Sequence, residues 1–388
     1  MTTGATATAM SGVPGAPGFA DAAAGLLPYR VLVAPGALGA LRPLLDAVDA
    51  DRWVVIADAT VARHHAAAVL AQLDAGRPRP SLLLTVPPGE AQKTRERWAA
   101  LTDAMLAAGC ARDTAVLALG GGVVGDLAGF VAATYMRGVP IVQVPTTLLA
   151  MVDASVGGKV AVDTPAGKNL VGAFHPPALV VIDPAALATL PSVDLRAGAV
   201  EALKHGVIAS APHFDDAARL LAAASRDRAA APLDDPSLAA LVAASVAIKA
   251  RVVADDPRER GPRHVLNFGH TVGHALERLS GYALRHGEAV AIGMVVEATA
   301  AESAGIAAAG TAARIRDALA AGALPVAPPA ELDADVVLEA ARLDKKTRRG
   351  AIEYALPTRI GAMAAGDGRW TVPLPDALVR QAFEACRA

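Results

Sequence analysis

Between about Arg30 and Leu190 short β-rich runs alternate with Ala/Leu-rich helical stretches, and after that point the β-runs nearly stop. The runs are RVLVA, WVVIAD, SLLLTV, TAVLALG, PIVQVP and ALVVID. Strands separated by helix-length connections pair in parallel, with the helices covering the sheet, so this half predicts an α/β layer. Beyond LPSVDLRAGAVEALKHG helical patterns run to the C-terminus, broken by loops such as DDPRERGPRH and LPVAPPAELD. The expected organisation is a flexible tail over 1–26, a Rossmann-like α/β domain over 27–191 and an all-α domain over 192–388. A chain of 388 residues has material for two such cores.

The tail, MTTGATATAMSGVPGAPGFADAAAG, has neither a basic start nor an apolar run, so it does not read as a signal peptide. Hydrophobic residues make up 53% of the chain, but alanine supplies much of that figure and favours helix rather than lipid. No uninterrupted apolar run is long enough to cross a bilayer. A net charge of −2 and the lack of a basic, aromatic surface argue against nucleic acid as a partner. With only Cys110 and Cys386, a disulfide framework or a cysteine zinc site is not expected. The expected location is the cytoplasm.

Candidate chemistry begins at LALGGGVVGDLAGF, where Gly120, Gly121, Gly122 and Gly125 lie between a predicted strand and a predicted helix. Glycines there let backbone N–H groups approach a pyrophosphate at the helix start. A tight turn that only packs helix on strand satisfies the same letters. The usual acidic ribose reader is missing after the next strand, which ends VQVPTT; Asp58, closing WVVIAD, is the alternative if the sheet is wound differently. Further on, Asp153, Lys159, Lys168 and Asn169 crowd a stretch rich in Gly, Thr and Ser, a mixture suited to phosphate oxygens.

The segment HVLNFGHTVGHALE puts His270 and His274 four apart, on one helix face. HTVGH lacks the glutamate of the H-E-x-x-H protease motif, so a protease reading has no general base. Catalytic zinc usually takes three protein ligands. His286 in ALRHGEAV and Glu201 in RAGAVEALKHG are further candidates, and spacing alone does not choose among the four.

Taken in order, GGGVVGDLAGFVAATYMRGVPIVQVPTTLLAMVDASVGGKVAV, GKNLVGAFHPP, RAGAVEALKHG, LNFGHTVGHALE, HGEAVAIGM and LDKK resemble the 3-dehydroquinate synthase family, over about Ala57 to Lys346. The resemblance implies an NAD-binding α/β domain followed by a helical domain that carries a divalent metal, zinc or cobalt. By motif position it makes Glu201, His270 and His286 the metal ligands and turns His274 toward substrate. It places Asp58, Glu90, Lys93, Gly120, Gly121, Gly122, Asp126, Thr146 and Thr147 around NAD, with Lys159 and Lys168 also in reach of it. Asp153, Lys159, Lys168, Asn169, Lys204, Lys249, Arg263, Asn267 and Lys346 would line the substrate. Arg137 of YMRG would reach a phosphate from the neighbouring subunit of a homodimer.

The implied substrate, 3-deoxy-D-arabino-heptulosonate 7-phosphate, carries a carboxylate and a phosphate, which the lysines and Arg263 would balance. The implied course is oxidation of a ring hydroxyl, loss of phosphate, return of the hydride, ring opening and an intramolecular aldol closure to 3-dehydroquinate. His274, with Lys204, is the expected proton shuttle. The chain departs from many members in VGGKVAVDTP, where a Thr-Gly and an Asn usually follow the lysine, and in Pro262, which restricts the loop before Arg263. The Thr-Gly and Asn changes replace no charged site residue and are expected to be tolerated, whereas Pro262 is expected to reshape the loop that aims the Arg263 guanidinium. The rival readings are an amino-heptulosonate cyclase or another sugar phosphate cyclase, a metal-dependent polyol dehydrogenase, and a nucleotide-binding protein that has kept the scaffold.

Overall fold

The computed structural model describes residues 19–77, 79–226, 236–342, 347–348 and 351–387. Its contacts divide the chain into two compact units, one up to Leu190 together with the segment that ends at Arg251, the other from Pro191 together with the chain from Val252 onward.

The first unit is built on a seven-stranded sheet in the order β1-β2-β9-β6-β5-β3-β4. Its strands are β1 (Ala20–Asp21), β2 (Arg30–Val33), β3 (Arg52–Asp58), β4 (Leu82–Val86), β5 (Thr114–Gly120), β6 (Ile141–Pro145) and β9 (Leu179–Ile182); β7 (Lys159–Thr164) and β8 (Gly167–Phe174) form a separate antiparallel hairpin. All sheet pairings are parallel except that of β1 with β2. Successive side chains of a strand point to opposite faces, and here both faces are covered, which is why the runs read as apolar throughout. Val55, Ala57, Leu117 and Leu119 pack against α1 (Leu41–Leu45) and α3 (Ala67–Asp74). Val54, Ile56, Val116 and Ala118 pack against α4 (Arg95–Ala107) and α5 (Gly122–Thr134).

Each of the six β-rich runs of the sequence supplies a strand of this sheet. The sequence reading opens the first domain at residue 27, but β1 lies earlier: the Asp21 carboxylate pairs with Arg30 at 3.1 Å and accepts from the Val31 N–H, which ties residues ahead of the boundary to β2.

The second unit is helical: α6 (Ser192–Ala209), α7 (Ala211–Arg226), the end of α8 (Pro236–Asp255), α9 (His270–Leu279), α10 (His286–Ser303), α11 (Thr311–Ala321), α12 (Ala334–Arg342) and α13 (Asp376–Ala385). Short strands, β10 (Thr347–Arg348) to β14 (Val372–Pro373), are added to what the sequence reads as helix alone. From Leu195 to Ile208 α6 is buried at nearly every position, and so is α10 from Gly287 to Ala301. Helices apolar all round belong in a core, and this pair forms its centre.

Most of α8, through Arg251, counts with the first unit although its sequence position follows the helical boundary. It is also long and apolar enough, with a mean hydropathy of 1.8, to cross a membrane by length and composition. A search for uninterrupted apolar runs passes over it, because Ser245, Lys249 and Arg251 break the run. Lys249 is buried and bonded within the protein.

Candidate active site

Strand order decides which loops of the first unit meet. From β5 the chain moves outward to β6, and from β3 it moves the other way to β4, so the sheet reverses direction between β3 and β5. In open parallel sheets ligands bind at the carboxyl ends of the strands, at such a reversal. Asp58 ends β3, and in register β3 and β5 stand side by side, with Ala57 opposite Leu119. Glu90 and Lys93 follow β4, Gly121 and Gly122 follow β5, and Thr146 and Thr147 follow β6. Asp58 caps α2 (Ala59–Val61), accepting from the Thr60 and Val61 N–H groups at 2.8 and 3.0 Å.

The start of α5 carries no side-chain cap, leaving its first N–H groups without that partner. A Cβ on Gly121 would stand 3.0 Å from the Thr147 methyl, and one on Gly125 would stand 2.9 Å from Gln143 Oε1. Close packing of helix on strand therefore does require glycine here, and it leaves the N-terminus bare at the same time. Among the described residues the buried Thr146 hydroxyl has no hydrogen-bond partner.

Beside this edge lies a charged cluster. Lys93, 4% exposed, places its ammonium 2.8 Å from Glu90, 3.3 Å from Asp126 and 3.7 Å from Asp163. Lys168 approaches Glu90 at 4.0 Å. Burial would lower the Lys93 pKa, but Asp126 and Glu90 outweigh it and hold the ammonium charged. Burial pushes Asp126 up to about 6 against the pull of Lys93. Asp163 was not a candidate from the sequence, although it lies in VGGKVAVDTP, one of the two departures. Its carboxylate also accepts from the Asn169 N–H at 2.8 Å, and its own N–H donates to the Lys93 carbonyl at 2.7 Å. It thus joins Lys93 to the hairpin bearing Lys168 and Asn169, so this departure places an extra charge among the site candidates.

Asp153, on a π-helical segment after β6, meets Lys249 of α8: the ammonium lies 2.6 Å from its carboxylate and 2.5 Å from its carbonyl oxygen. Lys159 and Asn169 are exposed on the hairpin. Arg137 is exposed on a turn where Met136, Arg137 and Gly138 all have positive φ, a conformation that costs non-glycine residues energy.

In the second unit Glu201 on α6, His270 on α9 and His286 on α10 each offer a ligand atom, all within 4.8 Å of one another. The His270 and His286 Nε2 atoms lie 3.7 and 3.4 Å from Glu201 Oε1, and Lys204 contacts the other oxygen. His270 Nδ1 faces the Phe268 carbonyl oxygen at 3.1 Å. A carbonyl only accepts, so the proton sits on Nδ1 and the Nε2 lone pair faces Glu201. Burial, aided by Lys204, holds the His270 pKa well below its usual value and keeps the ring neutral. His286 turns Nδ1 to Glu277 at 3.4 Å. Burial opposes its charge, but Glu201 and Glu277 push it up to about 10, so a cation binding there must displace a proton. One carboxylate and two imidazoles, each ring backed by an acceptor, fit zinc or cobalt.

His274 stands beside the trio, its ring centroid 5.2 Å from that of His270 and 6.2 Å from that of His286. Of the two histidines four apart, then, only His270 joins the group with Glu201 and His286; His274 forms a second group with Glu277 and His286. Glu277 closes the segment HTVGHALE, but its partner lies nine residues on and no periodicity marks the pair.

Arg263 is buried on the 3-10 turn Pro262–Asn267 and donates to the Pro257 carbonyl at 2.8 Å. The Asp256 carboxylate gathers the Arg260, Gly261 and Arg263 N–H groups, which shapes the loop around Pro262. Asn267 donates to Glu259 at 3.0 Å. Lys346 lies outside the described residues.

Two family models match adjoining parts of the chain, 3-dehydroquinate synthase N-terminal over residues 83–197 and 3-dehydroquinate synthase C-terminal over 198–347. The chain belongs to the 3-dehydroquinate synthase family. It is 45% identical over 345 residues to the 3-dehydroquinate synthase of Synechococcus sp. (strain CC9605), covering 88% of this chain and 91% of that one. Identity to the 3-dehydroquinate synthase of Xanthomonas campestris pv. campestris (strain 8004) is also 45%, over 87% and 91% of the two chains. Among solved structures, a 2-epi-5-epi-valiolone synthase from Streptomyces hygroscopicus subsp. jinggangensis 5008 with NAD+ and Zn2+ bound superposes with a TM-score of 0.80 at 30% identity, covering 92% of this chain and 96% of that one. A 2-deoxy-scyllo-inosose synthase complexed with carbaglucose-6-phosphate, NAD+ and Co2+ gives the same TM-score and coverage at 25% identity. The fold is thus that of the sugar phosphate cyclases.

Proposed function

We propose that this chain is a 3-dehydroquinate synthase, a carbon–oxygen lyase that turns 3-deoxy-D-arabino-heptulosonate 7-phosphate into 3-dehydroquinate and phosphate and depends on NAD and one divalent metal. The observation that carries the reading is the convergence of Glu201, His270 and His286 from three helices onto one point. It is supported by full-length relatives of that name and by cyclase structures that hold NAD+ with Zn2+ or Co2+.

Glu201, His270 and His286 would hold the metal. Asp58 would accept from the NAD ribose; Gly120, Gly121, Gly122, Thr146 and Thr147 would meet its phosphates; Glu90, Lys93, Asp126, Lys159 and Lys168 would surround the rest. When bound, NAD supplies a reversible hydride acceptor and the divalent ion a Lewis acid, so oxidation and reduction cancel over one turnover.

The chain's own residues do the remaining work. Lys159, Lys168, Asn169, Lys249, Asp153, Arg263, Asn267, Lys204 and Lys346 would balance and orient a substrate with a carboxylate and a phosphate. A ring nitrogen of His274 takes and returns the proton of the reacting hydroxyl, and the Lys204 ammonium beside Glu201 steadies the negative charge that forms there. Arg137, on its strained and exposed turn, is offered to the phosphate held by a second copy of the chain, which makes a homodimer the working form.

The test is to supply catalytic NAD, a divalent metal and the heptulosonate phosphate, and to follow phosphate, NADH and product mass together. Phosphate and dehydroquinate with no net NADH is the expected result. Turnover of an amino-heptulosonate or of sedoheptulose 7-phosphate in its place would move the specificity, and NADH accumulating from simple polyols would replace the cyclase reading with a dehydrogenase.

A further inference from the structure

One buried carboxylate stands next to this site without belonging to the metal trio or the cofactor loops. Glu297 of α10 is fully buried, and its two oxygens accept from the Gly269 N–H at 2.7 Å and the Val272 N–H at 3.0 Å. These belong to the N-cap and the third residue of α9, two of the donors a helix start leaves unpaired. Glycine makes the approach possible. A Cβ on Gly293, one turn before Glu297, would stand 2.0 Å from the Gly269 carbonyl oxygen, and one on Gly273 would stand 3.2 Å from that of Ala289. A carboxylate in such a place costs desolvation energy, which a neutral cap would avoid.

The Phe268–Gly269 peptide group is bonded at both ends. Its N–H donates to Glu297, and its C=O accepts the Nδ1–H of His270 at 3.1 Å. A carboxylate drawing on the N–H end of an amide shifts negative charge to the carbonyl end, because hydrogen bonds in a chain polarise one another. A stronger acceptor at Nδ1–H makes the opposite ring nitrogen a better electron donor, as carboxylates directly behind metal-binding histidines do.

We propose that Glu297 is a positioning residue for the metal centre, acting on His270 through the Phe268–Gly269 peptide to fix the ring's tautomer and to strengthen Nε2 as a ligand. The proposal rests on the reading of Glu201, His270 and His286 as metal ligands. It differs from a plain helix cap, whose loss would loosen α9 without changing the donor strength of the ring.

The experiment measures Co2+ affinity by competition with a chelator, together with the visible absorption of the bound ion, on the full chain. Wild-type protein binds Co2+ and His270→Ala does not; failure of the wild type to bind overturns the ligand reading and this proposal with it. Glu297→Gln keeps the volume but leaves an amide able to accept at only one of the two N–H groups. It is expected to lower Co2+ affinity by about 10- to 100-fold and to shift the absorption. Val296→Ala removes buried methyls from the same turn of α10 and is expected to lower stability while leaving Co2+ affinity and absorption unchanged. Unchanged affinity and absorption in Glu297→Gln, or an equal loss in Val296→Ala, would overturn the proposal. If Glu297→Gln does not fold, Glu297→Asp takes its place: a carboxylate drawn back by one methylene should lose affinity and shift the absorption in the same direction, and no change would again refute it.

Discussion

In the sheet unit Asp58, Glu90, Lys93, Gly121, Gly122, Thr146 and Thr147 stand at or just after strand ends, and in the helical unit Glu201, His270 and His286 stand within helices. The difference extends to how charge is satisfied. Around Lys93 one buried ammonium faces three carboxylates, Glu90, Asp126 and Asp163, so side chains on three segments neutralise one another. In the helical unit the carboxylates turn largely to imidazoles and to backbone N–H groups: Glu201 to His270 and His286 beside the Lys204 ammonium, Glu277 to His286, Glu297 to the start of α9. Loop side chains can trade partners when a ligand arrives; imidazoles wedged between packed helices cannot, and they keep one direction. Ligand geometry fixed to a few tenths of an ångström is what a metal needs, while a dinucleotide is held by many weaker contacts.

Removing one group from each set gives the sharpest contrast. His270→Ala should abolish stoichiometric metal retention, a loss larger than the roughly 10- to 100-fold expected when a group behind a ligand is changed; metal analysis after dialysis reads it, and unfolding should move little. Lys93→Gln should do the reverse. It leaves Asp126 and Asp163 partly buried without their cation, and should cost about 2–3 kcal/mol in urea unfolding, below the range for a fully buried pair because Glu90 is exposed. Metal content should stay unchanged. Adding Asp126→Asn to Lys93→Gln should recover part of the stability. A metal loss in Lys93→Gln would break the comparison.

The two units were unequally legible in the sequence. Strands buried on both faces must be apolar throughout, so six of the seven sheet strands announce themselves; β1, two residues long, is set by the side chain of Asp21 and has no pattern to read. The glycine loop was legible as a turn, but Gly121 and Gly125 are demanded by Thr147 and Gln143, which lie beyond the next turn of chain. Spacing put His270 and His274 on one helix face but did not choose among the four candidates; the structure sets His270 with Glu201 and His286, partners 69 and 16 residues away by position. Such a meeting depends on how three helices pack, and only the order of motifs shared with a known family pointed to it. Asp163, Glu277 and Glu297 went unnoticed for the same reason: each is an ordinary acidic residue until its partner is brought to it.

Acid should act on the two units with opposite sign. Burial, reinforced by His205, pushes His213 on α7 down to about 4 from 6.5. The folded state therefore refuses a proton that the unfolded chain accepts, so this contribution is full above about pH 6.5 and fades as pH falls toward 4. At pH 5 the loss is about 2 kcal/mol. Asp126 is shifted the other way, from 3.8 to about 6. Its carboxylate penalises the folded state at neutral pH, and the penalty lifts as pH falls below 6, returning about 1 kcal/mol at pH 5. Hydrogen exchange at pH 7 and 5, corrected for intrinsic rates, should show lower opening free energies in α6 and α7 and equal or higher ones in β5 and α5. His213→Gln should flatten the first change, and a common shift in both units would show that neither group controls it.

The smallest effect should come from Asp163→Asn, which removes the charge and keeps the size of the side chain. Asparagine can still accept from the Asn169 N–H, and the backbone bond to Lys93 does not involve the side chain. What disappears is one charge 3.7 Å from the Lys93 ammonium, with Glu90 and Asp126 closer and still in place. A partly exposed pair at that distance is worth about 0.5 kcal/mol, a small loss in urea unfolding, with kcat unchanged. Asp163→Ala also removes the bond that holds Asn169 in its positive-φ turn, so it should affect the heptulosonate KM more than that for NAD. If Asp163→Asn instead matched Lys93→Gln in stability loss, the ammonium would depend on this one carboxylate, and the sheet unit would resemble the helical one in allowing no exchange of partners.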